Sequence, residues 1–169
     1  EFAVFDEPSE NLPTKIIAPE GVTVTIARDI FGKTTSVNRS GGGKSATRSY
    51  VYDTNQRLCK TIEPEVGATI QNYDSSNNIS WKAVSSTLTT LACNRSSVPS
   101  ARKVSYAYDH AQRLVKTSFV ANSTTITIDR TYTADGLPNT VTASNFGSTW
   151  TSAYNKRRLL ISDTLSYNS

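Results

Sequence analysis

Two stretches decide the fold. Tyr50-Val51-Tyr52-Asp53-Thr54-Asn55-Gln56-Arg57-Leu58 and Tyr106-Ala107-Tyr108-Asp109-His110-Ala111-Gln112-Arg113-Leu114 both read Y-x-Y-D-x-x-Q-R-L, and both reach Lys-Thr after one further residue. Tyrosines two apart point to one face of a strand. The aspartate that follows bonds the backbone two residues on and starts an Asx-type turn. Leu58 or Leu114 then opens the return strand. The unit predicts strand, tight turn, strand.

Weaker copies keep the register. Ala27–Lys33 retains Asp29, with Gly32 three later. Tyr73–Ile79 retains Tyr-Asp and places Asn77 at the tight position. Tyr132–Leu137 keeps the Tyr and Gly136, with the acid moved to Asp135, and Tyr154–Leu160 replaces Asp by Asn155. Counted at Asp29, Asp53, Asp74, Asp109, Thr133 and Asn155, the gaps are 24, 21, 35, 24 and 22 residues. The long gap holds the Ser/Thr-rich stretch 85–102, read as an insertion, and Ser40–Ser45 reads as a mobile loop between repeats. A lone hairpin is marginal in water, so successive hairpins must share a sheet. No segment carries a helical apolar period. The expectation is an all-β chain of consecutive β-hairpins in one antiparallel sheet, with an N-terminal extension over 1–12, about six repeats over 13–165 and a tail over 166–169.

Composition agrees. Hydrophobic residues make up 37% of the 169, which implies a thin core. The 22 Ser and 23 Thr, with Tyr, Val and Ile, suit a pleated, half-buried surface. The net charge of +4 is scattered except at Lys156-Arg157-Arg158, which argues against a nucleic-acid partner. No apolar run approaches the ~18 residues of a membrane span. No signal peptide is visible, and the absence of Met marks a chain processed or cut from something longer. Two cysteines and one histidine exclude a multi-Cys zinc site and a His-rich centre, so no metal or cofactor is predicted. Cys59 and Cys93 are either buried thiols or a disulfide. As a disulfide they would close a 35-residue loop, for ~3–4 kcal/mol in the chain-entropy model.

Y-x-Y-D-x-x-Q-R-L at this spacing resembles the YD repeat of the RHS-repeat family, which includes bacterial polymorphic toxins, C-type components of insecticidal toxin complexes, and teneurins. Pro13–Gly21, leading into Asp29-Ile30-Phe31-Gly32-Lys33, resembles a P-x-x-I-x-x-P-x-G unit of the same family. The family's turn glycine is replaced here by Gln56, Gln112 and Arg158, which predicts a different turn type at those positions. The resemblance implies a β-ribbon that curves and spirals into a shell around a C-terminal toxic domain. This chain would be a stretch of its wall. It implies an exported protein at the cell surface or secreted, whose partners are the rest of the parent shell and the enclosed toxin. Open sheet edges would favour self-association.

The repeat motif assigns structural roles to Tyr50, Tyr52, Asp53, Arg57, Leu58, Tyr106, Tyr108, Asp109, Arg113 and Leu114. Trp81 and Trp150 are candidates for stacking on carbohydrate, the basis of an alternative reading as a binding surface; cross-strand packing is the competing role. No catalytic residue is predicted. Gly41-Gly42-Gly43-Lys44-Ser45 lacks the P-loop's first glycine, since Asn38 stands six before Lys44. His110 beside Asp109 has no activated nucleophile. Asp29, Asp53, Asp74 and Asp109 recur as turn formers rather than as a glycosidase pair. Asn38, Asn78, Asn94 and Asn122 match the glycosylation pattern by chance in so polar a chain.

Overall fold

The computed structural model describes residues 2–5, 12–85 and 87–167. The strands are β1 (Phe2–Phe5), β2 (Pro13–Ile17), β3 (Thr23–Arg28), β4 (Thr34–Gly41), β5 (Lys44–Tyr52), β6 (Leu58–Glu63), β7 (Gly67–Tyr73), β8 (Ile79–Ser85), β9 (Val104–Tyr108), β10 (Leu114–Ala121), β11 (Thr124–Tyr132), β12 (Pro138–Ala143), β13 (Ser148–Tyr154) and β14 (Leu160–Tyr167). The helical content among the described residues is two single 3-10 turns, Arg95–Ser97 and Ser100–Arg102, inside the insertion. The chain divides into two compact units, residues 1–71 with 84–95 and residues 72–83 with 96–169. In the first, β1 to β7 pair antiparallel in chain order; in the second, β8 to β14 do the same.

All six repeat turns close in the same way. The N–H of the fourth residue donates to the carbonyl of the first, as in Gln56 to Asp53 at 2.8 Å, and the first N–H donates to the carbonyl of the fifth, as in Asp53 to Arg57 at 2.8 Å. The fourth residue always has positive φ: Gly32 76°, Gln56 63°, Asn77 66°, Gln112 59°, Gly136 88° and Arg158 64°. Gln56, Gln112 and Arg158 therefore make the glycine-type turn and correct the expectation of a different one. The double closure fixes the backbone, and the side chain bears the cost of the left-handed conformation.

A bulge follows each of these turns where the pairing is described. Tyr52 faces Leu58 while Val51 faces Lys60, leaving Cys59 unopposed. The same skip leaves out Thr35, Val115, Asn139 and Ile161. A bulge adds local right-handed twist, so twist is written into the repeat itself.

The opposite ends of the hairpins close more tightly. Gly42 and Gly43, at φ 58° and 74°, join Gly41 to its partner Lys44. Two successive left-handed residues match strand twist. The stretch Ser40–Ser45 is thus the tip of a hairpin and not a loose inter-repeat loop, because its strands pair up to the two glycines. Asn122 and Ser123, at 49° and 62°, do the same between β10 and β11.

The core is thin. Buried apolar residues among those described are Cys59, Ala68 and Ile70 in the first unit, with Ala83 and Val98 in the second.

Candidate functional site: the repeat turn, the pinned insertion and the hydroxyl face

At each turn the marker side chain caps the backbone. Asp53 Oδ1 accepts the N–H groups of Asn55 and Arg57 at 3.0 and 2.9 Å. Asp29, Asp74, Asp109 and Asn155 each accept the same pair. At the fifth turn Thr133 takes the marker's place: its Oγ1 accepts Leu137 N–H at 3.0 Å and donates to Asp135 at 2.6 Å. The second carboxylate oxygen holds the basic residue four on, with Arg57 Nη2 at 3.0 Å from Asp53 and Arg113 Nη2 at 2.7 Å from Asp109. These carboxylates are committed to turns. His110 is exposed beside one of them, and Lys156-Arg157-Arg158 forms the sixth turn, with Arg158 3.5 Å from Asp135.

At three turns the tyrosine just before the marker ties its repeat to the one before it. Tyr52 Oη donates to the carbonyl of Thr34 at 2.9 Å, Tyr108 to Ile79 at 3.2 Å and Tyr132 to Leu114 at 2.8 Å. Each acceptor lies five residues past the preceding marker. The basic turn residue then stacks on the next repeat's tyrosine, as Arg113 does over Tyr132 at 4.6 Å. Tyr50 and Tyr106 lie on the same face as these tyrosines, opposite Thr61 and Thr117. Trp81 carries Lys103 over its ring at 4.4 Å. Trp150 is half exposed, its indole N–H donating to Asp163 at 3.3 Å.

The insertion folds back onto the first unit. Cys59 and Cys93 are disulfide-bonded with Cα atoms 5.4 Å apart. The next residue, Lys60, is fully buried and donates to the carbonyl of Thr90 at 2.8 Å and to Asn94 Oδ1 at 2.6 Å. Burial pushes its amine below the ordinary lysine range. Arg95 donates to the Gln71 carbonyl at 3.0 Å and to Asp53 Oδ2 at 2.9 Å. Burial alone would raise the Asp53 pKa, but bonds from Arg95 and Arg57 outweigh it and bring it to about 2. Lys60, Asn94 and Arg95 escape sequence reasoning because their partners lie 24 to 42 residues away. Only the paired cysteines signal the contact.

Register separates two faces in each unit. In the second, rows of directly opposed residues run Thr131, Thr140, Thr151, Thr164 and Asp129, Thr142, Thr149, Ser166. The opposite face carries rows such as Val141, Trp150, Leu165 and Phe119, Ile126. The first unit repeats the division, with Thr25, Asn38, Thr47 and Thr23, Ser40, Ser45 on one face and Val24, Ile26 and Val37 on the other. Polar side chains satisfy one another across strands: the Thr131 and Thr140 hydroxyls lie 2.7 Å apart, and the Asn38 amide donates to the Thr47 hydroxyl at 2.7 Å.

No group of three or more His, Cys, Asp or Glu converges among the described residues. No described helix is long and apolar enough to cross a membrane.

No protein-family model and no curated protein matches the chain. Solved structures do. The chain is similar to a Photorhabdus luminescens Tc holotoxin pore bearing a TccC3 mutation, at TM-score 0.72 and 13% identity over 97% of this chain and 9% of that one. It is also similar to TcdB2-TccC3 without its hypervariable C-terminal region, at TM-score 0.64 and 11% identity over 85% of this chain and 8% of that one. A third match, TcdB2-TccC3-TEV, has TM-score 0.52 and 12% identity, with 99% of this chain and 10% of that one covered. The chain thus spans about a tenth of the length of the structures it matches. With its two full YD motifs and its chain-order antiparallel hairpins, this chain has the fold of an RHS/YD-repeat sheet.

Proposed function

We propose that the chain is a stretch of wall in an exported RHS-type shell that encloses and helps deliver a toxin domain. The observation that carries this is the repeat's construction. Within each unit the hairpins bond to one another in sequence, a bulge follows each of the five repeat turns whose pairing is described, and Tyr52, Tyr108 and Tyr132 tie their repeats backwards, so the sheet extends by repeated steps. Such a sheet makes surface, not a deep pocket. The hydroxyl face suits the enclosed side: its hydroxyls bond one another or the backbone and offer a cargo few apolar contacts. The role is structural, with the rest of the parent shell and its cargo as partners.

The test is to sequence the reading frame on both sides of this stretch. Further Y-x-Y-D repeats leading to an unrelated C-terminal domain support containment. A frame that closes nearby behind a secretion signal refutes it. Trp150 favours a second reading, as a carbohydrate-binding surface, because a half-exposed indole beside Asp163 and Ser152 has the composition of a sugar platform. Glycan-array binding lost in Trp150→Ala at unchanged melting temperature would establish it.

A further inference from the structure

The insertion closes over a lysine that has no counter-ion. Lys60 is fully buried, and its amine is held by one carbonyl and one carboxamide oxygen, with no carboxylate within ion-pair distance among the described residues. A buried, unneutralised amine favours any state that returns it to water. The covering segment buries little that is apolar: residues 89–92 are exposed, Leu91 at 73%. The Cys59–Cys93 disulfide holds it down, together with Arg95, which donates to Asp53 and to the Gln71 carbonyl; Lys60's two bonds only partly offset the cost of keeping its amine from water.

We propose that residues 87–95 form a redox latch, held shut over Lys60 by the disulfide and released locally when a thiol reduces it. Cys59 is fully buried and Cys93 less so, so an incoming thiolate attacks Cys93 Sγ. The Cys59–Cys93 bond breaks, Cys59 leaves as thiolate and takes a proton. A second thiol then resolves the mixed disulfide, giving two cysteine thiols and one oxidised disulfide of the reductant. Opening exposes Lys60 as a reactive amine, while the repeat turns, whose closure needs no disulfide, stay formed.

The test is amine acetylation by an N-hydroxysuccinimide ester, read peptide by peptide in the oxidised and reduced protein, with the exposed Lys44 and Lys156 as references. Lys60 is expected to label at least tenfold more slowly than the references when oxidised and to approach them when reduced. Cys93→Ser should match the reduced protein without reductant. Hydrogen exchange should rise over 87–95 on reduction, with β10–β14 unchanged, and should rise less in Lys60→Met. Lys60 labelling that is fast before reduction, or slow after it, overturns the latch. So does loss of protection throughout β10–β14, since release would then be global unfolding.

Discussion

At the scale of single residues, the fourth turn position carries left-handed strain wherever it is not glycine, as at Gln56, Gln112 and Arg158. Gln112 sits at φ 59° with an exposed side chain. Gln112→Gly removes that strain and is expected to stabilise the protein by about 0.5–1 kcal/mol, whereas a β-branched Gln112→Val should cost roughly 1–2 kcal/mol, both read from urea midpoints. Asp53 gives a pH signature. Its folded pKa of about 2 lies below the ordinary carboxylate value, so its contribution is complete above about pH 5 and fades as pH falls towards 2. Asp53→Asn should lower stability at pH 7 by roughly 1–2 kcal/mol, and the gap to the native protein should close towards pH 2. A gap that stays constant across that range would show the charge is not what matters. The marker aspartates were legible in the sequence because the capping bonds are local, two and four residues on. That glutamine and arginine would accept positive φ was not legible, because the tertiary pairing on both sides imposes it against their own preference.

At the scale of elements, the tie between repeats is the tyrosine hydroxyl. Tyr132→Phe keeps the ring under Arg113 and loses only the bond to the Leu114 carbonyl, so about 1 kcal/mol of destabilisation is expected by chemical denaturation. A double-mutant cycle with Arg113→Ala should show coupling of roughly 0.5–1 kcal/mol. A cycle that sums to zero would reduce the stacking to proximity. Hairpins were readable from Y-x-Y-D because alternation and turn chemistry repeat every 21–24 residues outside the insertion. The bulges at Cys59, Val115 and Ile161 were not, since an unopposed residue shows only in the register. Ser40–Ser45 misled for the opposite reason: three glycines read as looseness, yet Gly42 and Gly43 supply the left-handed pair a two-residue hairpin turn requires. The insertion was visible as a gap, but its docking through Lys60 and Arg95 depends on partners no local pattern names.

At the scale of the whole molecule, a sheet built by repetition ends on strands with unpaired backbone. β14 is exposed along its length, including Leu160, Ile161, Leu165 and Tyr167. Such an edge invites pairing, so the 169-residue chain should associate with rising concentration in sedimentation velocity, and Ile161→Lys with Leu165→Lys should suppress it. A chain that sediments as a monomer throughout would mean the edge is protected. We propose that this stretch is wall. The most direct measurement is an electron cryomicroscopy map of the intact product of its reading frame. A wall segment should appear as part of a hollow particle in which these strands continue into neighbouring repeats on both sides, with density enclosed within. A compact solid protein, or one whose sheet stops at these strands, would contradict it.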